Sequence, residues 1–426
     1  MDEQLQEIID YVRETVGLND HELKRYQFFR EKNHFNETIY ILNMEWFPTG
    51  DAGSDEDFNP QGTAVVDINF HTKAIRLLNF AAGVNSADSS LYPLSAAKED
   101  VIDWIEEITG LTFGRQFLIA HEEDTTLKFG AAVDNIPVSP SGRIRVGFND
   151  DDVLTGFSID GEFPNEAQIE WEPFALTPDK YEPFAKDQCR LLVLPDQEQE
   201  KWLPVYGIEE VFLTNDAVQT IPFTYGEDRS SYMTLDEVLQ WEEPLEGGEF
   251  EQKEIDLSPE VDLVTVLANE PHPETIPLTE TEVEAGKQEV LRFMRLVYPN
   301  ESGKRKLSGI HLKDDYILAE IRPLQENAVK NALDIKVKLV IDRASLTAVN
   351  YFDQSRLLKA FSNFSSAEEP VMSSEEAFES LREHIEIEPV YVYDCERDSY
   401  IMCGKLDCAY GVNAVTGELV ALNDMF

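Results

Sequence analysis

The chain has 426 residues, enough for two to four domains that each bury a core. Its 83 Asp and Glu outweigh 35 Lys and Arg, leaving a formal net charge of −48. Such a surface repels phosphates and anionic lipid, which argues against nucleic acid and membrane as partners and leaves cations, basic proteins, peptides and neutral small molecules.

The first residues, Met1-Asp-Glu-Gln-Leu5, are acidic where an export signal is basic. No run approaches the roughly 18–20 apolar residues of a membrane span. Four cysteines, Cys189, Cys395, Cys403 and Cys408, are too few for a disulfide framework. A cytoplasmic protein with reduced thiols is expected. The acid surplus serves either adaptation to salt or simple solubility.

Taken in order, Leu5, Ile8, Ile9, Val12 and Val16 fall at helical spacing. Strands follow at Arg25–Glu31 and Thr38–Trp46, then a hairpin over 65–80. A second helix carries Val101, Trp104, Ile105 and Ile108, with Ser95 as its expected start. Strands are expected at Gln116–His121 and Leu127–Val133, and a hairpin at 144–159. A third, weaker helix lies within Pro178–Cys189, ahead of strands at Leu191–Leu194 and Trp202–Ile208 and a hairpin at 211–223.

Residues 224–274 hold fifteen Asp and Glu against Arg229 and Lys253, and read as an acidic linker. Within it, Thr234–Glu237 opens a short helix and Leu263–Leu267 offers an edge strand. A fourth helix carries Val283, Val290, Phe293, Met294 and Val297. Strands at Tyr316–Ile321 and Asp334–Ile341 and a hairpin at 337–352 follow. A fifth helix, on Phe378, Leu381 and Ile385, precedes strands at Val390–Tyr393 and Tyr400–Cys408 and a hairpin at 409–423. Thr279 with Glu282, and Ser373 with Glu376, have the spacing of a capping box.

The repeated order of helix, sheet and hairpin predicts an α+β fold, with units of one helix packed on an antiparallel sheet. The expected layout is a lone unit at 1–90, a two-unit module at 91–223, the linker at 224–274, and a second two-unit module at 275–426.

Lys128-Phe-Gly-Ala-Ala-Val-Asp-Asn-Ile-Pro-Val138, Arg143–Phe148 and Val153–Phe157 together resemble the signature of the YcdB/YcdC repeat proteins of Bacillus-type bacteria. Tyr410–Val420, with its Thr416-Gly417, resembles the closing hairpin of the related PepSY domains. This chain departs at Asn135, which Ile136 follows directly with no intervening Gly. The resemblance implies a non-enzymatic domain that binds peptides or restrains a peptidase. It supplies no catalytic residues.

The seven histidines form neither HExxH nor an HxH pair and are expected to be solvated or packed. Cys395, Cys403 and Cys408 lie on adjacent strands without CxxC spacing; buried, inert thiols are the preferred reading over a thiolate site. Asp51–Asn59 and Asn149–Asp152 offer oxygen ligands for weak divalent-cation binding; the first lacks the Gly and Glu of an EF-hand loop and reads better as a solvated insertion, and the second, a hairpin tip, reads better as a plain turn. Neither a nucleophile motif nor a phosphate loop is present, and no cofactor is expected. Trp171, Trp202 and Trp241 are aromatic candidates for a binding face, with Trp202 expected in a core strand.

The expected function is non-enzymatic binding of a peptide or protein. The candidate site is the terminal strand edge Leu419, Val420, Ala421 and Leu422, which no later unit follows to cover. The alternative is a hydrolase with a carboxylate- or metal-based site in a cleft between modules, marked by a deep pocket with buried titratable groups.

Overall fold

A computed structural model of the protein describes residues 2–50, 59–93, 95–223, 232–245, 247–324, 333 and 335–425. The fold is α+β. Two compact units divide the chain. One takes residues 1–172, 258–272 and 390–402, the other 173–257, 273–389 and 403–426.

In the first unit, helix α1 (Glu3–Thr15) starts where the Asp2 carboxylate accepts the Gln4 and Leu5 N–H groups. Its Leu5, Ile8, Ile9 and Val12 share one buried stripe. Strands β1 (His21–Lys32), β2 (Thr38–Pro48), β3 (Ala64–Asn69) and β4 (Ile75–Phe80) pair antiparallel in sequence order. Burial alternates along β3, so one face of this sheet meets the core.

After α2 (Lys98–Thr109) come β5 (Phe117–Glu123), β6 (Thr126–Val133), β7 (Ile136–Ser139), β8 (Arg143–Phe148) and β9 (Leu154–Asp160). Strand β9 joins β4, with Leu78 opposite Phe157, so strands from both halves form one sheet. Both helices pack on one core with Trp46, Phe80, Trp104 and Phe157. The later segments complete this unit. Strand β15 (Glu260–Val261) pairs with β1, and β20 (Glu386–Asp394) runs parallel to β7 with Tyr391 opposite Val138.

The second unit holds a five-stranded and a four-stranded sheet with separate cores, and part of a third ladder. One has the order β14 (Met233–Val238), β16 (Arg305–Lys313), β17 (Tyr316–Pro323), β18 (Val337–Asp342), β19 (Thr347–Asp353). Helix α5 (Glu280–Val297) lays Val290, Phe293 and Met294 on it. The other has the order β10 (Cys189–Asp196), β11 (Lys201–Ile208), β22 (Tyr410–Asn413), β23 (Leu419–Ala421). Helices α3 (Pro178–Asp187) and α6 (Ser374–Leu381) bury Ala185, Ala377, Phe378 and Leu381 with Cys189, Ile208 and Val412. Strand β12 (Val211–Thr214) pairs with β13 (Thr220–Pro222) and with residues 403–406 of β21 (Ser399–Asp407).

All five expected helices are present, and all five expected hairpins close antiparallel. Both capping boxes form, at Thr279/Glu282 and Ser373/Glu376. Helix α2 begins three residues after Ser95, whose hydroxyl instead donates to Asp100 at 2.6 Å. The two elements expected within 224–274 exchange identity. Residues 234–237 are strand, because β14 completes the edge beside β16. Residues 263–268 form helix α4 (Leu263–Ala268), because Asp262 caps the Thr265 N–H.

The described part of 224–274 is built into both units rather than spanning freely. Leu239 is buried in one core and Val266 in the other. Spatial grouping also differs from the grouping along the chain. The 65–80 hairpin joins that of 144–159, and β10–β11 join β22–β23, because a free edge is covered by geometry rather than by sequence neighbourhood. Of the cation-ligand candidates, Asp51, Asp55 and Asp57 lie outside the described residues. Asn149 makes a plain turn, its side-chain oxygen accepting the Asp151 and Val153 N–H groups. Among the described residues no helix is long and apolar enough to cross a membrane.

Candidate functional site

Two places present unsatisfied recognition surface. The first is the edge of the four-stranded sheet. Strand β23 holds Leu419, Val420 and Ala421, paired only with Val412, Gly411 and Tyr410 of β22. Leu419 is exposed and the next two are half-buried. Leu422 leaves the strand: its N–H donates to the Ala409 carbonyl at 3.0 Å. Its methyls lie over Gly411 and Gly207, where added Cβ atoms would stand 3.1 and 3.9 Å away. Leu422 therefore caps the sheet face opposite the helices rather than lengthening the edge.

The opposite edge is longer. Strand β10 pairs with β11 along all eight residues and carries exposed Leu191 and Leu192. Among the described residues neither β10 nor β23 has a second strand partner. The strand expected at Leu191–Leu194 is present within β10, and its edge position is set by which strands join the sheet.

The second place is a cleft of about 200 Å³ in the first unit. Three loops form it. The loop after α2 folds on Thr112, whose carbonyl accepts the Arg115 and Gln116 N–H groups. Asp134 and Asn135 form the tip between β6 and β7, both at positive φ (46° and 67°). Such a two-residue turn requires this geometry twice, and Asp and Asn tolerate it where Gly is missing. Their N–H groups donate to Arg115 and Gly114 carbonyls at 3.0 and 2.8 Å, tying the first two loops together.

The third loop, Asn165–Trp171, starts with a reciprocal cap between Asn165 and Gln168. Its Glu170 N–H donates to the Tyr400 carbonyl at 3.0 Å, and the Glu170 carboxylate accepts from Ser399 and meets Arg397. Trp171 at its end is 53% exposed and stands edge-on to Tyr391 at 6.2 Å. Tyr391 itself is buried beneath it. Burial, then the negative charges of Glu172 and Asp134, push the Tyr391 phenol above its ordinary pKa. Arg115 forms an ion pair with Glu166.

The other candidates are structural. Trp202 is buried against Phe361 and Phe364. Trp241 packs on the α5 core and its indole donates to Pro299. Cys189, Cys403 and Cys408 are buried; Cys395, expected to be buried with them, is exposed because it lies in the turn between β20 and β21, and among the described residues no disulfide forms. Burial raises the Cys189 and Cys408 thiols, which keeps them protonated.

Sequence reasoning named Trp171 but not its cleft. No protein-family model matches the chain, and no curated protein matches it significantly. Among solved structures, the C-terminal domain of Bacillus megaterium YpeB aligns at 9% identity. The alignment covers 49% of this chain and 86% of that domain, with a TM-score of 0.25, too low to carry an inference about fold or activity.

Proposed function

We propose that the protein is a non-enzymatic binder of extended peptide or protein segments, which add as a strand to the four-stranded sheet. The observation that supports this is the pair of outer strands, β10 and β23, that have no further strand partner among the described residues and expose Leu191, Leu192 and Leu419. An unpaired edge offers backbone donors and acceptors for affinity, and alternate side chains give selectivity. Strand β23 has three residues, so the eight-residue β10 is the stronger template. Restraint of a peptidase through such binding is the finer form of this reading, and rests on the resemblance of the hairpins to PepSY-type repeats. The recurrence of helix, sheet and hairpin is read in the same way, as repetition of one ancestral unit.

Panning the protein against a displayed library of random peptides tests the reading. Peptides with alternating apolar residues are expected to be enriched. Leu191→Lys, a charge of the kind that blunts natural edges, should remove those that bind at β10, and Ala421→Pro, which removes a donor facing away from β22, those that bind at β23. Enrichment that survives both substitutions, or no enrichment above carrier, sinks the proposal.

A further inference from the structure

The Trp171 cleft has a chemistry of its own. Its space, about 200 Å³, is below the roughly 300–1,000 Å³ of pockets for drug-sized ligands, and suits one long side chain. One wall is the exposed indole of Trp171, fixed from behind by Tyr391 and from the side by the Glu170 contacts. Polar groups on the rim include the carboxylates of Asp134 and Glu166. One lining group is already a cation, Arg115, and it is held by Glu166. Both partners of that pair are more than half exposed, so the contact is weak and exchangeable.

We propose that this cleft takes the cationic side chain of a lysine or arginine presented by a partner peptide, with the alkyl stem along Trp171 and the charged end at Asp134 and Glu166. An aromatic face attracts a cation and also covers its methylene stem, so both halves of such a side chain find a complement. Arg115 is the internal competitor for Glu166. A net charge of −48 draws basic segments toward the protein at long range, and the cleft gives that attraction a fixed address. Cleft and strand edges share no residue, so either assignment can fail without the other.

The test must separate a site from general attraction to an acidic surface. The probe is a capped pentapeptide with a single central lysine, compared with the same peptide carrying norleucine. Calorimetric titration at physiological ionic strength should show the lysine peptide binding at least about fivefold tighter, as expected for an ion pair added to a cation–π contact. Trp171→Ala and Asp134→Asn should each weaken the lysine peptide about two- to fivefold with the melting temperature unchanged. Arg115→Gln, which frees Glu166, should tighten it, whereas Arg13→Gln, the same charge change on α1, should not. Equal binding of lysine and norleucine peptides overturns the proposal. So does wild-type binding by both weakened variants, or equal tightening by Arg115→Gln and Arg13→Gln.

Discussion

Arg343 donates from Nε to Glu282 Oε1 at 2.7 Å, joining the turn between β18 and β19 to the first turn of α5. The same guanidinium reaches the carbonyls of Pro273, Ile276 and Pro277, while Glu282 completes the capping box with Thr279. One carboxylate therefore serves both a helix cap and an ion pair. The Arg343 hydrogen bond, against some burial and helped by the Thr279 groups, lowers the Glu282 carboxyl to about 2. A folded pKa below the unfolded one gives stability that is present above about 4.5 and lost as pH falls toward 2. Glu282→Gln should cost about 1.5–3 kcal/mol at neutral pH and flatten that acid loss. Melting curves from pH 7 to pH 3 check both; an unchanged acid slope counts against the pair.

A second pH effect sits in the first unit. His21 is buried, with Nε2 3.2 Å from the Gly62 carbonyl and 3.1 Å from Ser86 Oγ. Burial lowers its pKa from 6.5, against the opposing pull of the Gly62 backbone and Asp20. The unfolded chain binds this proton at a higher pH than the folded one, so stability falls as pH drops below about 6.5. Between pH 7.5 and 5.5 the parent should lose melting temperature and His21→Gln should lose less. Equal losses would assign the effect to other groups.

The two tryptophans should part company. Trp202 is buried against two phenylalanines, and Trp202→Ala should cost about 3–5 kcal/mol. Trp171 is half exposed, and Trp171→Ala should stay within about 0.5 kcal/mol. Denaturant titration of both variants is decisive, and similar midpoints would mean that one ring has been placed wrongly.

Salt should stabilise the protein. At a net charge of −48 the folded chain repels itself, and repulsion reaches about 30 Å at 0.01 M salt but about 3 Å at 1 M. Melting temperature should rise across that range. A flat response would show the charges to be spread too widely to matter.

Periodicity made the helices and hairpins legible, because each states its own period within a dozen residues. Thr279 and Ser373 marked helix starts because cap and Glu lie three residues apart on the same turn. Strand β14 and helix α4 were exchanged because short segments take their structure from neighbours: β14 from the edge of β16, α4 from a single Asp262 cap. Strand β16 gave no clean alternation and went unrecognised. The Trp171 cleft was beyond reach, since Thr112, Asp134 and Glu166 belong to loops that only tertiary pairing brings together.

The parallel pairing of β20 with β7 also sets a timetable for synthesis. Val138 leaves the ribosome roughly 250 residues before its partner Tyr391, about 12–50 s at ~5–20 residues per second. Through that interval β7 waits with an open side, and Trp171 lacks the ring that will later stand behind it. A nascent chain in this state is exposed to mispairing, and a stop codon anywhere before residue 391 would leave the first unit unfinished although most of its sequence precedes residue 173. Truncation from the C-terminus is therefore the wrong way to isolate that unit, and a rearranged chain joining both 258–272 and 390–402 to the N-terminal segment is the form in which it could be made alone.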